Sequence, residues 1–162
     1  MKLMRIFTLA FIAASIGGGI YIAKPQSLRP HPKEVHLRNI RQLTFGGDNA
    51  EAYWSLDGQK IIFQSTRDQI KCDQIFTMNR DGSNPKMVST GKGRTSCGYF
   101  TPDGKRIIYA STHLGSPDCP PPADRSEGYV WPIYPTFDIF SAKPDGTDLK
   151  RLTTAEIGRA HV

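Results

Sequence analysis

Past its leader, this 162-residue sequence lacks most of the marks by which chemistry announces itself. There is no Gly-x-Ser-x-Gly elbow, no paired-acid motif, and no Cys-x-x-Cys or matching His spacing. Those absences remove the usual sequence evidence for a hydrolase nucleophile or a zinc site. From residue 40 to 155 no 3.6-residue recurrence of apolar side chains occurs, and turn residues come too often for a helical repeat. Charge of one sign is also scarce where it would count. The net charge is +6, but residues 1–35 hold Lys2, Arg5, Lys24, Arg29 and Lys33 against Glu34, which leaves 36–155 at +2. A segment so near neutrality has no electrostatic footprint for phosphate backbones, so nucleic acid is not an expected partner. Cysteine is sparse and odd in number, at three.

What is present begins with a leader. Lys2 and Arg5 precede an apolar run from Ile6 to Ile16, with Ala13, Ala14 and Ser15 near its end and Gly17-Gly18-Gly19 after it. A basic start, a short apolar core and small residues make a secretory signal. The alternative for 1–23 is an uncleaved membrane anchor, since Ile6 to Ala23 counts 18 residues, the lower limit for a bilayer span. Either reading makes the rest exported, to a bacterial periplasm or beyond, with membrane contact through this segment alone. Residues 24–39, with Pro25, Pro30 and Pro32, read as an extended linker. At the other end, Glu156 to Val162 resembles the translation of a sequencing adapter, so 156–162 carry no weight in the reading of fold or site.

Between these ends the chain repeats itself. Trp54-Ser55-Leu56-Asp57-Gly58-Gln59-Lys60-Ile61-Ile62-Phe63 returns 46 residues later as Phe100-Thr101-Pro102-Asp103-Gly104-Lys105-Arg106-Ile107-Ile108-Tyr109. Ser-Thr follows each copy, at 65–66 and 111–112. A second unit, Ile75-Phe76 through Asp81-Gly82-Ser83, returns 64 residues later as Ile139-Phe140 through Asp145-Gly146-Thr147, so the second copy carries an 18-residue insertion. A third unit occurs three times, in Arg41-Gln42-Leu43-Thr44, Lys86-Met87-Val88-Ser89 and Arg151-Leu152-Thr153. Asp-Gly is a strong hairpin signal, because Gly tolerates positive φ and Asp can bond back onto the turn. The runs Lys60 to Ser65 and Arg106 to Ser111 are apolar enough for buried central strands. Four strands per repeat of this length describe propeller blades, whereas a sandwich would not repeat its sequence so closely.

Leu-Thr, aromatic-Ser/Thr-x-Asp-Gly, Ile-Ile-aromatic, Ser-Thr-Arg, Asp-Gln-Ile-Phe and Asp-Gly-Ser together resemble the WD-like repeats of TolB and related propellers. The resemblance spans residues 40–154, and Leu56 stands where that family usually has Pro, which Pro102 keeps. It implies a propeller of about six blades, within the usual range for the architecture, in a periplasmic or secreted setting. The expected fold class is all-β: a partial β-propeller of two four-stranded antiparallel blades plus one extra strand at 40–44, preceded by an N-terminal apolar helix. Two blades cannot close a ring, so the sequence reads as the N-terminal part of a longer protein.

A meander puts the Asp-Gly turns on one face and the remaining loops on the other. The second face collects 45–50, 66–73, 90–97 and 113–136, and with them the candidate binding residues Asp48, Arg67, Asp68, Arg94, His113, Tyr129, Trp131 and Tyr134. Each also has a plainer reading. Arg67-Asp68 can be local bracing, and His113 is a single histidine with no obvious partner. Asp57, Asp81, Asp103 and Asp145 are better explained as turn residues than as cation ligands. The insertion, Gly115 to Pro135, holds six of the 12 prolines. It reads either as a semi-rigid recognition loop at the channel mouth or as a decoration packed on its own blade. Cys72, Cys97 and Cys119 share this face in an exported chain, so a bridge Cys97–Cys119 or Cys72–Cys97 is plausible, with one cysteine left over.

No cofactor and no metal are called for. The leading functional expectation is a non-catalytic binding module that docks a protein or peptide through the loop face. The alternative is the gating propeller of an oligopeptidase-like serine hydrolase whose catalytic domain lies elsewhere. A carbohydrate-binding role rests on the aromatic insertion alone.

Overall fold

The computed structural model describes residues 26–28, 31–130, 132–154 and 159–160. The expected leader helix in 1–23 lies outside these residues, as does most of 156–162. The described part is all β. Its strands are β1 (Gln26–Ser27), β2 (Arg41–Gln42), β3 (Asn49–Trp54), β4 (Lys60–Ser65), β5 (Gln74–Asn79), β6 (Lys86–Met87), β7 (Thr95–Phe100), β8 (Ile107–Ser111), β9 (Ile133–Tyr134), β10 (Asp138–Ala142), β11 (Lys150–Arg151) and β12 (Arg159–Ala160). Two four-stranded antiparallel meanders result, β3-β4-β5-β6 and β7-β8-β10-β11, while β9 pairs with β12 outside both. β1, in the stretch 24–39 read as a linker, pairs with β2 just beyond it, so the chain folds back there instead of running straight.

The two sheets are copies at the level of the ladder. Trp54 pairs with Ile61, and Phe100 with Ile107. Both inner strands carry a bulge, between Ala50 and Tyr53 in β3 and between Ser96 and Tyr99 in β7. Glu51 and Cys97, one residue into each bulge, both have φ 52°. Neither is a residue type that favours the left-handed region.

The turns follow from their Asp-Gly pairs. Asp57 Oδ1 accepts Ser55 Oγ at 2.6 Å and Gln59 N at 3.1 Å; Asp103 Oδ1 accepts Thr101 Oγ1 at 2.6 Å and Lys105 N at 3.1 Å. Asp81 and Asp145 each take the backbone N of the residue two positions on, both at 2.9 Å. These neighbouring hydroxyls and amides hold all four carboxyls below their usual range.

The core lies between the sheets and on both sides of the central strands. After Lys60, every residue of β4 is buried, as expected of a strand covered on two faces. Ile62, Ile75 and Val88 of the first sheet pack against Ile107, Tyr109, Phe140 and Ala142 of the second, with Tyr53 and Phe100 at the edge. On the far side of the first sheet, Ile61, Phe63, Phe76 and Met78 form a second cluster covered by Leu43 and Ile70. Side chains alternate across each strand, so each sheet has a leading face (Ile61 and Phe63; Ile107 and Tyr109) and a trailing face (Ile62 and Ile75; Ile108 and Ile139). The trailing face of the first sheet meets the leading face of the second, which is radial stacking of blades.

Candidate loop-face binding site

On the loop face the 46-residue repeat extends into the candidate site. Asp48 and Arg94 occupy matching places before the two inner strands. Asp48 N donates to Thr66 Oγ1 and Arg94 N to Thr112 Oγ1, each at 3.0 Å; Thr66 N and Thr112 N return bonds to the two carbonyls at 3.1 and 3.0 Å. Arg67 and His113 then follow their threonines in matching positions. The preceding glycines are obligatory. A Cβ on Gly47 would lie 2.9 Å from Arg67 Cα, and one on Gly93 would lie 2.8 Å from His113 N, both at positive φ.

The four side chains do different work. The Arg67 guanidinium lies 5.6 Å from the centroids of both Phe63 and Phe76, a cation–π contact that closes the loop over the far cluster. Arg67 thus contacts two rings of its own blade. Asp68 is exposed with φ 57° and turns the loop. The Nε atoms of Arg67 and Arg94 are buried and lack a hydrogen-bond partner among the described residues. His113 Nδ1 lies 2.8 Å from Ser111 Oγ, and the ring sits 4.4 Å from Phe140. Burial, then Lys92, pushes its pKa down, while Asp138 pulls the other way. That environment favours neutral imidazole.

Two polar residues that sequence reasoning passed over hold this face together. Gln74 Nε2 donates to Gly93 O at 2.7 Å, and Gln74 Oε1 accepts from Ser89 Oγ at 2.7 Å and Gly91 N at 3.1 Å. Asp138, 64 residues on, accepts from Thr153 Oγ1 at 3.0 Å and from Arg151 Nη2 at 2.5 Å. In both blades the Ser or Thr hydroxyl takes the N–H of the next residue, Ile75 or Ile139, at 2.9 Å. The recurring Ser/Thr after Leu or Val was thus the available signal.

The insertion runs from the second blade across to the first. Cys119 forms a disulfide with Cys72, which lies in the loop between β4 and β5. Gly93 N donates to Pro117 O at 2.8 Å, and Tyr134 OH donates to Pro121 O at 2.8 Å. Both expected bridges, Cys97–Cys119 and Cys72–Cys97, are corrected. Cys97 belongs to β7 and not to the loop; it is buried in the bulge, its N–H reaching Gln64 Oε1 at 3.2 Å, and its thiol is free. The reading of the insertion as a decoration on its own blade fails for the same reason, since it is anchored to the neighbouring one. Beyond the anchor, Tyr129 is 67% exposed and Ile133 65%, with Val130 also exposed. The Arg125 guanidinium stands 5.1 Å from the Tyr129 ring. Trp131 lies outside the described residues. The structure therefore gathers Asp48, Arg67, Asp68, Arg94 and His113 at the loop ends of the blades, while Tyr129 and Tyr134 belong to the insertion.

No protein-family model matches the sequence, and neither does any curated protein. Solved structures do resemble the fold. A putative TolB from Agrobacterium tumefaciens matches at TM-score 0.51 and 24% identity over 70% of this chain. TolB from Acinetobacter baumannii matches at TM-score 0.50 and 24% identity over 72%. The chain spans 36% of the first protein and 24% of the second. At that identity the likeness is one of architecture: the chain has the fold of part of a TolB-like β-propeller.

Proposed function

We propose that the chain is a non-catalytic binding module of an exported propeller, docking a protein or peptide through its loop face. The observation that supports this most is the anchored insertion. A proline-rich loop crosses from one blade to the next, is tied there by a disulfide, and leaves Tyr129 and Ile133 exposed on a fixed support. Large apolar side chains held out on a rigid scaffold lose little entropy on contact, which favours recognition. His113 and Ser111 lie 2.8 Å apart, but Ser111 is 1% exposed, so this pair offers no accessible nucleophile.

The test is panning of a random peptide library on the immobilised chain. Enriched peptides should bind the native chain, lose most of their affinity for Y129A/I133A, and keep it for Leu56→Ala on the opposite face. Failure to enrich any peptide, or binding indifferent to the Tyr129 and Ile133 changes, overturns the proposal.

A further inference from the structure

We propose that the Cys72–Cys119 bridge is a thiol-exchange site, at which a Cys-x-x-Cys dithiol reductant unlatches the insertion and so weakens binding at the loop face. The effect on affinity rests on the binding reading above; the exchange itself does not. The two sulfurs differ in access. Cys72 is 2% exposed, whereas Cys119 is partly exposed. Exchange needs access to the sulfur that is attacked, so a thiolate of the reductant meets Cys119. The bond between the two cysteines breaks, and Cys72 leaves as a thiolate that takes up a proton. The reductant's second thiol then attacks the mixed disulfide and releases Cys119, which is protonated in turn. The reductant ends as a disulfide, and the chain has gained two electrons and two protons.

The blade side is prepared for the reduced state. Cys72 Sγ lies 3.0 Å from Gly93 O, so the buried thiol has an acceptor in place once it is protonated. Gln74 Nε2 holds that carbonyl at 2.7 Å, and next to Cys72 the carbonyl of Asp73 accepts Thr95 N at 2.9 Å. The Cys72 loop therefore keeps its position without the bridge. The insertion is held differently. Pro120, Pro121 and Pro122 follow Cys119 and have no N–H to donate, and residues 124–130 are all exposed. The bond from Tyr134 OH to Pro121 O and the stacking of Arg125 on Tyr129 stay inside the insertion. Its strand β9 pairs with β12 and with neither blade. Beside the bridge, the bond from Gly93 N to Pro117 O reaches across at 2.8 Å. At the base, Gly115 lies so near Thr136 that a Cβ would stand 2.5 Å from Thr136 Cγ2, which pins the two stems together. Opening the bridge frees the tip, with Tyr129 and Ile133, about a fixed base.

The test has three readouts on the native chain and on C72S/C119S. A thioredoxin whose second active-site cysteine is replaced by serine should trap a mixed disulfide, and peptide mapping should place it on Cys119. Under dithiothreitol, tryptic cleavage after the exposed Arg125 should quicken about tenfold or more, because the freed tip opens locally, while cleavage after Arg80 in the opposite turn keeps its rate. C72S/C119S should be cut at the reduced rate with or without reductant, since a hydroxyl at position 72 can make the same bond to Gly93 O. Peptides selected on the oxidised chain should bind the reduced chain and C72S/C119S about tenfold more weakly, the ordering cost of the tip now falling on binding. Trapping on Cys72 or not at all, cleavage after Arg125 indifferent to reductant, or selected peptides that bind both redox forms equally overturns the proposal. The last result would leave the binding reading standing, and the first two readouts need no ligand.

Discussion

At the scale of single residues, glycine and the acid–base groups make the sharpest predictions. Gly93 and Gly104 both have positive φ, at 59° and 66°, but a Cβ at Gly104 meets nothing within 4 Å whereas one at Gly93 would lie 2.7 Å from Thr112 Oγ1. Gly104→Ala should cost only the conformational strain, about 1–2 kcal/mol. Gly93→Ala should cost more, because it adds displacement of the His113 backbone. Urea midpoints of the two variants at equal m-value check the ranking. Asp57 and Asp103 set a pH dependence. Their folded carboxyls titrate below the ordinary value, so their contribution is complete above the unfolded carboxylate pKa and is lost as pH falls through the depressed one. His113 behaves alike in sign: with its pKa pushed down, stability should begin to fall as pH drops below the ordinary imidazole value of about 6.5. In Tm–pH profiles, D103N should flatten the acid limb while His113→Asn flattens the decline beneath neutrality.

Elements show which features were legible and which were not. The tandem offsets predicted the strands, the Asp-Gly turns and the pairing of Trp54 and Phe100 with equivalent partners, because hydrophobic alternation and turn chemistry are written in residue types. The bulges were not legible. Glu51 and Cys97 have nothing in common but φ 52°, and no side-chain preference marks a left-handed glutamate or cysteine. That blind spot spread to the disulfide. Whether Cys97 lies in a loop or in a strand turns on where β7 begins, and an inward position in the strand removes it from pairing. The bridge that does form, Cys72–Cys119, closes a separation of 47 residues. On the chain-entropy account, removing it should cost about 4 kcal/mol at most. Denaturation of Cys119→Ser, compared with the native chain with and without reductant, measures this. The added reductant should change the native chain and leave the variant unmoved, since Cys97 is already a buried thiol.

For the whole molecule, the larger of the two buried apolar clusters among the described residues lies where the two blades meet. Phe140 is 1% exposed and stands between Tyr109, 6.2 Å away, and His113. Phe140→Ala should cost about 3–5 kcal/mol through lost burial and the cavity left behind, and should loosen both sheets together. In a Trp131→Phe background, Trp fluorescence reports the first sheet through Trp54, and far-UV dichroism reports both; coincident transitions by the two would establish this coupling. The radial arrangement itself was legible from repetition, since a blade cannot bury its faces alone. The route of the insertion was not, because its partner, Cys72, lies in the other repeat and only the folded chain brings the two together.

That crosslink also decides how the molecule responds to being cut. Arg80 and Lys92 are exposed, and both lie between the joined cysteines, as do strands from each blade. A tryptic nick at either point should leave one particle heavier only by the water added across the cut bond, held by its covalent tie until a thiol is added. Cleavage after the exposed Arg125 lies beyond Cys119 and leaves no such tie between the pieces.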